Sequence, residues 1–327
     1  MTLSTDTQII KGAKSLQLRW EKAAVPLAVL ITLIGFGLAE PNVLSFQNLS
    51  NIVTQASFLA IFAMAQTIVI LTRGFDLSLG FAVSLISVVS ALVMTNVGGP
   101  ELAIPLGLLT ALSVGILIGA VNGGLIAGVG INPMITTLGT ANIVAALAST
   151  VSGGFPVTGV PTGLTDALAH GRLFGISPPI VTLFIIGAGI AFMLVGTKFG
   201  RSLFIIGANP SAAFAAGINS RPGILGAYAL CGAIIAVGAI MLTARTGSGE
   251  PNLGGNLTLE SIAAAVVGGV KLSGGEGGVW AAISGALFVT TLSNGMNLVG
   301  VDGYLQQVFL GLIILVAMFA GRERTQR

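Results

Sequence analysis

The sequence predicts an all-α polytopic membrane protein with about ten transmembrane helices, arranged as two inverted five-helix repeats. Of its 327 residues, 54% are hydrophobic and only 8% are charged, and the mean hydropathy is +0.98. This composition lies outside the range of soluble globular domains. The apolar residues form ten separate runs, and two short motifs recur about 172 positions apart.

The first 22 residues are polar and precede the first apolar run. They carry Lys11, Lys14, Arg19 and Lys22, and no small-residue cleavage site follows the run, so we expect a retained first helix rather than a removed leader. Basic residues accumulate on the cytoplasmic side of membranes. Residues 1–22 are therefore predicted to form a cytoplasmic segment.

A bilayer core needs roughly 20 apolar residues per helix, and ten runs approach or exceed that length. They lie near residues 23–39, 55–72, 77–95, 102–127, 134–152, 179–196, 223–243, 261–270, 279–298 and 304–320. The run at 261–270 is short, whereas the run at 102–127 is long enough to tilt or break. We predict a transmembrane permease domain over residues 23–321 and a cytoplasmic tail over residues 322–327.

Ten crossings place both termini in the cytoplasm and divide the basic residues unequally between the two sides. Twelve of the fourteen then lie inside, namely Lys11, Lys14, Arg19, Lys22, Arg73, Lys198, Arg201, Arg221, Lys271, Arg322, Arg324 and Arg327. Only Arg172 and Arg245 lie outside, which supports this orientation. The chain has no basic stripe or aromatic platform that would indicate nucleic-acid binding.

Two features recur at matching points of the two halves. Residues 71–74, Leu-Thr-Arg-Gly, match residues 242–245, Leu-Thr-Ala-Arg, and the Asn-Gly pair at 122–123 matches that at 294–295. An odd number of crossings separates corresponding points, so the second half is predicted to be inverted, as in many transporters. Chance similarity in a Gly- and Leu-rich chain is the alternative.

Two carboxylates precede apolar runs in the two halves. Asp76 and Glu260 both stand where the positive end of a helix dipole favours a negative charge. Asp76 is also close to Arg73 on the predicted cytoplasmic face, which suggests a gate or a conformational latch. A plain charge at a helix start is the alternative explanation.

The predicted cytoplasmic loop 197–222 contains a short helix. Asn209 can cap it, Pro210 suits its first position, and Gly217 can end it in a left-handed conformation. The helix body, residues 211–216, has no charge and one aromatic residue. An apolar helix facing water indicates a partner surface, and a helix resting on lipid headgroups is the alternative.

The ten runs as drawn contain no Asp, Glu, Lys, Arg or His. Ionisable residues within membranes usually mark proton relays and charged-substrate sites, so we expect an uncharged substrate. The polar side chains within the runs can form hydrogen bonds between helices or line a water-filled path. They are Gln55, Ser57, Gln66, Asn122, Asn142, Asn294, Asn297, Gln306 and Gln307. As residues of a possible substrate path we select Gln66, Asn122, Asn142 and Asn294.

Residues 272–276 spell Leu-Ser-Gly-Gly-Glu, the signature of ABC ATPases, but the chain has no phosphate-binding loop of the form G-x-x-x-x-G-K-[ST]. The sequence instead predicts a tight cytoplasmic turn there. The single cysteine, Cys231, lies within an apolar run and indicates neither a disulfide nor a metal site. Since no catalytic constellation is present, we expect a chain without enzymatic activity, metal or cofactor of its own.

Three segments carry distinctive motifs. Residues 74–80 read Gly-Phe-Asp-Leu-Ser-Leu-Gly, residues 132–140 read Asn-Pro-Met-Ile-Thr-Thr-Leu-Gly-Thr, and residues 259–264 read Leu-Glu-Ser-Ile-Ala-Ala. Over nearly the whole chain, these motifs resemble those of the permease subunits of ribose- and xylose-type ABC sugar importers. Thr258 stands where that family often has Glu, and Met134 where it has an aromatic residue.

The loop helix is similar to the coupling segment of that family, which contacts the ATPase. The residues that we assign to ATPase coupling on this basis are Gly200, Arg201, Gly207, Asn209, Pro210, Ala212, Ala213, Phe214 and Gly217. Phe214 stands where the family commonly has a basic residue. The gate or signature loop is assigned to Arg73, Gly74, Asp76, Ser78 and Gly80.

The resemblance implies a type II ABC importer-like permease fold in a bacterial inner membrane. It also implies three partners: a second permease copy or paralogue, a tandem-domain ABC ATPase that binds ATP and Mg, and a periplasmic sugar-binding protein. The expected function is import of a neutral monosaccharide such as ribose, xylose, fructose or galactose by ATP-driven alternating access. The alternatives are a secondary transporter or facilitator of small polar solutes, and a structural membrane scaffold.

Overall fold

The computed structural model describes residues 23–320 as a bundle of α-helices. In chain order these are α1 (Ala23–Ala39), α2 (Phe46–Leu71), α3 (Leu79–Asn96), α4 (Pro100–Gly124), α5 (Pro133–Ser152), α6 (Thr162–Thr165), α7 (Pro178–Gly196), α8 (Lys198–Ala208), α9 (Pro210–Ala215), α10 (Ser220–Thr246), α11 (Leu257–Val267), α12 (Val279–Leu298) and α13 (Gly303–Ala320). A 3-10 helix (Pro41–Leu44) and two π-helical turns (Leu125–Val129 and Asp166–His170) complete the helical elements. The predicted segments 1–22 and 322–327 lie outside the described residues.

Ten of the described helices are apolar and match the ten predicted runs. Seven are long enough to cross a membrane by length and composition: α2, α3, α4 with its π-helical extension, α5, α7, α10 and α12. Three shorter apolar helices, α1, α11 and α13, complete the set. The chain is a polytopic all-α membrane protein, as predicted.

The core of the bundle is centred on α2, α3 and α10. Every residue of α2 from Ala56 to Leu71 is buried, which is typical of a helix surrounded by other helices. Helices α4 and α10 touch through their backbones, because a Cβ added at Gly115 or Gly232 would overlap the carbonyl oxygen of the other. Such small-residue contacts are common between membrane helices.

The bundle has two ends, which we name after the elements found there. The α9 end carries α8, α9 and the turn at 271–276. The β end carries two short strands, β1 (Val157–Thr158) and β2 (Ser248–Gly249), which pair antiparallel. Helix α2 ends at the α9 end, where the carbonyl of Leu71 accepts a hydrogen bond of 3.0 Å from the N–H of Gly275.

Residues 72–78, between α2 and α3, form an irregular segment that we call the first re-entrant segment. It starts at the α9 end and returns into the bundle, where the carbonyl of Phe75 accepts a hydrogen bond of 3.0 Å from the hydroxyl of Tyr228. Cys231, which contacts the next residue, Asp76, is roughly 16 Å along α10 from its start. Helix α3 therefore begins well inside the bundle.

Residues 247–256, between α10 and α11, form the second re-entrant segment, which starts at the β end. It runs along α3 from the β end into the bundle. The N–H of Glu250 donates to Ser87 Oγ at 3.2 Å, and the N–H of Gly254 donates to Ser84 Oγ at 3.0 Å. Helix α11 is then only about 16 Å long, roughly half of a bilayer core. The starts of α3 and α11 meet inside the bundle, approached from opposite ends as an inverted repeat requires.

Candidate functional site

Helix α9 is a six-residue helix with both ends closed. The side-chain oxygen of Asn209 accepts a hydrogen bond of 3.0 Å from the N–H of Ala212, and Pro210 occupies the first turn. At the other end Gly217 has a left-handed φ of +75°, a conformation that glycine adopts without strain. The predicted cap, first-turn proline and stop are confirmed.

The two faces of α9 differ in exposure. Ala213 is 0% exposed, whereas Phe214 is 83% exposed. Ala212, Ala215 and Ala216 are also exposed. The side chain of Ala213 therefore packs against its own chain, and the assignment of this residue to ATPase coupling stays a prediction. Phe214 is the large apolar side chain that α9 presents outward.

A surface groove of about 500 Å³ lies beside α9 and the start of α10. It is lined by Phe214, Gly217, Ile218, Asn219, Ser220 and Arg221. An exposed aromatic side chain next to a groove that carries one basic residue is suited to a protein contact, since aromatic residues and arginine are enriched at interfaces.

Helix α8 holds α9 against the bundle. Thr197 caps α8 by accepting a hydrogen bond of 3.0 Å from the N–H of Gly200, and Arg201 donates to a carbonyl near the end of α7 at 2.7 Å. A Cβ added at Gly207 would overlap the carbonyl oxygen of Leu71. A Cβ added at Gly200 would likewise overlap the carbonyl oxygen of Met193, so these two coupling glycines lie where α8 approaches another backbone closely, whereas Gly217 has nothing within 4 Å of its Cβ position.

Arg73 connects the first re-entrant segment to α8. Its Nε donates to the carbonyl of Gly207 at 2.5 Å, and its Nη2 donates to the carbonyl of Ala208 at 2.8 Å. These carbonyls end α8 and have no partner within the helix, and a cation is favoured beside them. Because Ala208 directly precedes Asn209, the guanidinium fixes the point at which α9 begins.

The backbone of Arg73 has a φ of +64°. Positive φ is uncommon for residues other than glycine and is maintained only where the surroundings impose it. Here the two hydrogen bonds to α8 fix the side chain, and the N–H of Arg73 is bonded to the carbonyl of Ile70 at 2.9 Å. The first re-entrant segment is therefore held tightly where it leaves α2.

The turn at 271–276 packs at the same place. The N–H of Lys271 donates to the carbonyl of Glu276 at 3.0 Å, and the Lys271 ammonium pairs with the Glu276 carboxylate at 2.7 Å. The tight turn predicted from the sequence is confirmed. A Cβ added at Gly274 would lie 2.6 Å from Arg73 Cγ, so this turn, the end of α2 and the end of α8 form one packed junction.

Asp76 is 1% exposed and is bonded inside the bundle. Its Oδ1 accepts hydrogen bonds from the N–H of Ser78 at 2.9 Å and from the Ser78 hydroxyl, and its Oδ2 accepts one from Cys231 Sγ at 3.8 Å. Asn122 donates to the Ser78 hydroxyl at 3.0 Å. Asp76 is therefore not a plain charge on an exposed helix start, because burial makes its partners part of the fold.

Gly80 marks the point where the two halves touch. Its N–H donates to Thr258 Oγ1 at 2.9 Å. A Cβ added at Gly80 would lie 2.8 Å from the carbonyl oxygen of Gly254. The sequence analysis noted Thr258 only as a departure from a family motif; its contact with Gly80, 178 positions away, has no local sequence signal.

The four predicted path amides have different surroundings. Gln66 is buried in α2, and among the described residues neither polar atom of its side chain has a hydrogen-bond partner. Asn122 belongs to the cluster around Ser78. Asn142 is exposed and donates to a carbonyl of its own helix at 2.9 Å, and Asn294 exchanges hydrogen bonds with an asparagine near the start of α2. The structure does not gather these four residues into one path.

The observed helices extend beyond the predicted apolar runs. Arg221 and Arg245 consequently lie within α10, Glu101 lies within α4 and Glu260 lies within α11. The absence of charged residues therefore applies to the apolar runs but not to the helices. Of the four, Glu260 stands in the first turn of α11, close to the contact between the two halves.

Comparisons with known proteins agree over nearly the full chain. A sequence model of the family described as "Branched-chain amino acid transport system / permease component" matches residues 48–318. The galactose/methyl galactoside import permease of Salmonella typhimurium is 38% identical over 309 residues, covering 90% of this chain and 91% of the relative.

Two ribose import permeases are similar as well. That of Escherichia coli K12 is 32% identical over 327 residues, covering 97% of this chain and 99% of the relative. That of Bacillus subtilis is 34% identical over 300 residues, covering 91% and 92%. A search of solved structures finds no match.

Proposed function

Because the chain belongs to the family of branched-chain amino acid transport system permease components, we propose that it is the membrane subunit of an ATP-driven importer of a neutral monosaccharide. The relatives are named for galactose, methyl galactoside and ribose, which are all uncharged. The proposal includes a second permease copy or paralogue, an ABC ATPase that holds ATP and Mg, and a periplasmic sugar-binding protein.

The observation that carries this proposal is the outward face of α9. A short helix with both ends capped is rigid, and its Phe214 is an apolar side chain that residues 23–320 leave 83% exposed. Exposed apolar surface of this kind indicates a contact site. The chain has no phosphate-binding loop, so energy from ATP must enter through another protein, and we assign the α9 surface to an ATPase.

The charge distribution supports a cytoplasmic location for the α9 end. Arg73, Lys198, Arg201, Arg221 and Lys271 all lie there, and basic residues favour the cytoplasmic side. This orientation presents α9 to the compartment that contains ATP and opens the β end to the periplasm.

The contacts around Arg73 provide a connection from α9 into the bundle. A displacement of α9 would act on Asn209 and on the carbonyls at the end of α8, and from there on Arg73. The first re-entrant segment contains Asp76 and leads into α3, where Gly80 touches the other half of the protein. In this proposal, ATPase closure moves the halves relative to each other and alternates access to the sugar path.

The test is purification of the tagged protein in mild detergent, comparing wild type with Phe214→Glu. The substitution places a carboxylate in a desolvated contact, which is strongly unfavourable for an unpaired charge. We expect the ATPase to co-purify with wild type, to be lost from Phe214→Glu, and sugar uptake to fall at least tenfold. Phe174→Glu, the same change at an exposed residue of the β end, should retain the ATPase.

A Phe214→Glu protein that keeps its ATPase and imports sugar at the wild-type rate would contradict the assignment of this surface. The alternative of a secondary transporter or facilitator is not favoured, because the matching family consists of components of a transport system. A facilitator would also move sugar in liposomes without ATP or any second protein.

A further inference from the structure

A polar cleft of about 430 Å³ lies between α11, α12 and α13. The residues that give it its chemistry are Asn256, Glu260, Asp302, Tyr304, Gln306 and Gln307. In a chain with only 8% charged residues, two carboxylates and three amides around one cleft are a notable concentration of polar groups. Its volume lies within the roughly 300–1,000 Å³ of small-molecule sites.

The cleft extends from the β end toward the centre of the protein. Asp302 and Tyr304 lie at the start of α13, at the β end, whereas Glu260 lies in the first turn of α11. Two residues before Glu260 is Thr258, which accepts the hydrogen bond from Gly80. The inner wall of the cleft is thus next to the point where the two halves of the protein meet.

Some of the polar groups are fixed by the fold and others are free. Gln306 donates to Asn297 Oδ1 at 2.8 Å, and Asp302 Oδ1 accepts from the N–H of Tyr304 at 2.8 Å. Within residues 23–320, the side chains of Glu260 and Gln307 have no hydrogen-bond partner. These two side chains are available to a molecule in the cleft.

We propose that this cleft is a sugar-binding site of the permease itself, which receives the hydroxyl groups of a neutral monosaccharide. The inference rests on the proposed function and names the residues that would contact the substrate. A hydroxyl group both donates and accepts hydrogen bonds, and the cleft offers carboxylate acceptors together with amide donors. The ring of Tyr304, 80% exposed, provides an apolar face for the C–H surface of a sugar.

A cation is the competing ligand, since two carboxylates lie here and the described lining includes no Lys or Arg. The amide oxygens could also bind a cation, but a cation offers no acceptor to the amide N–H groups of Asn256 and Gln307, which are exposed. The hydroxyl oxygens of a sugar can accept hydrogen bonds from these N–H groups. The mixed lining therefore fits a polyhydroxylated neutral molecule better.

Cysteine labelling can test the cleft directly, because the single native cysteine, Cys231, is buried and the wild-type protein should not react. In washed right-side-out vesicles, Gln307→Cys should react with a membrane-impermeant cationic thiol reagent. Excess D-galactose or D-ribose should slow that reaction about tenfold. Asp166→Cys, whose position is exposed with 72% of its side chain accessible, should react without protection by either sugar.

Uptake kinetics in cells provide the second measurement. Glu260→Gln keeps the size of the side chain but removes the charge, and the KM for the transported sugar should rise about tenfold with little change in maximal rate, as expected for the weakening of one charged hydrogen bond. Glu260→Leu should raise KM further, because it removes the acceptor.

If wild-type cells import none of D-ribose, D-xylose, D-fructose and D-galactose, the proposed function fails. If wild-type cells import sugar, while Gln307→Cys is unprotected and Glu260→Gln has an unchanged KM, only the cleft assignment fails. Protection by calcium or spermidine, but not by sugar, would overturn the sugar assignment in favour of a cation site.

Discussion

The two re-entrant segments occupy equivalent places in the two halves of the protein, but their charged groups are used differently. In the first segment, Arg73 is bonded to the end of α8 and Asp76 is bonded to Ser78. Just after the second segment, the carboxylate of Glu260 lines an open cleft. The first segment is suited to transmitting force, and the second leaves polar groups free for a ligand.

Burial explains this difference. A charge with 1% exposure, such as Asp76, must be satisfied by protein partners because water cannot reach it. Glu260 faces a cleft that opens at the β end, where water or a ligand can satisfy it. In the proposals above, the two segments therefore have different roles, because the first is packed within the bundle and the second lies beside a cleft that opens at the β end.

The largest expected effect is at the contact between the segments. In Gly254→Ala the added Cβ would overlap the backbone carbonyl of Gly80, and no rotamer change can relieve an overlap between backbones. We expect a loss of about 3 kcal/mol or more, visible as a lower melting temperature and a reduced monodisperse yield in detergent. Gly139→Ala, whose Cβ meets nothing within 4 Å, should behave like wild type. Equal melting temperatures for both variants would show that the contact is loose.

Arg73 should have the next largest effect, and mainly on coupling. Arg73→Gln removes the charge and at least one of the two hydrogen bonds to α8, worth about 1–3 kcal/mol. We expect sugar uptake per ATP hydrolysed to fall about tenfold in the purified complex, with the ATPase still bound. Arg172→Gln, at an exposed position near the β end, is the control.

Arg73→Gly distinguishes the role of the hydrogen bonds to α8 from the role of the strained backbone. The variant removes the guanidinium, and glycine adopts the positive φ without strain. If Arg73 acts through its guanidinium, the glycine variant should be as poorly coupled as the glutamine variant. Full coupling in Arg73→Gly would show instead that only the backbone conformation of the segment matters.

Asp76→Asn should have the smallest effect, since the side-chain oxygen of Asn can still accept both hydrogen bonds from Ser78. We expect a stability change below about 1 kcal/mol and uptake within about twofold of wild type. Asp76→Ala loses both bonds and should be less stable by about 1–3 kcal/mol. Both values are measurable by thermal denaturation and uptake in parallel. A folded Asp76→Asn protein without uptake would show that the charge itself takes part in gating.

Local features were predictable from the sequence. The ten apolar helices, the Asn209 cap, the Gly217 stop and the turn at 271–276 all follow from neighbouring residues. Caps and turns depend on hydrogen bonds within a few positions, and a membrane helix depends on a continuous apolar run. The run at 261–270 is short for a bilayer crossing, and α11 is short because the second re-entrant segment supplies the rest of that crossing.

The sequence by itself therefore determined the membrane class, the number and order of the ten apolar helices and the capped loop helix. Only the tertiary structure decided that Ala213 is buried and Phe214 exposed, that Arg73 binds carbonyls 134 and 135 positions away, and that Gly80 meets Thr258 across 178 positions. The cleft that includes Glu260 and Gln307 also required the packed bundle. These features depend on how helices pack and on which residues approach from opposite ends, and no local pattern encodes distances between residues so far apart in the chain.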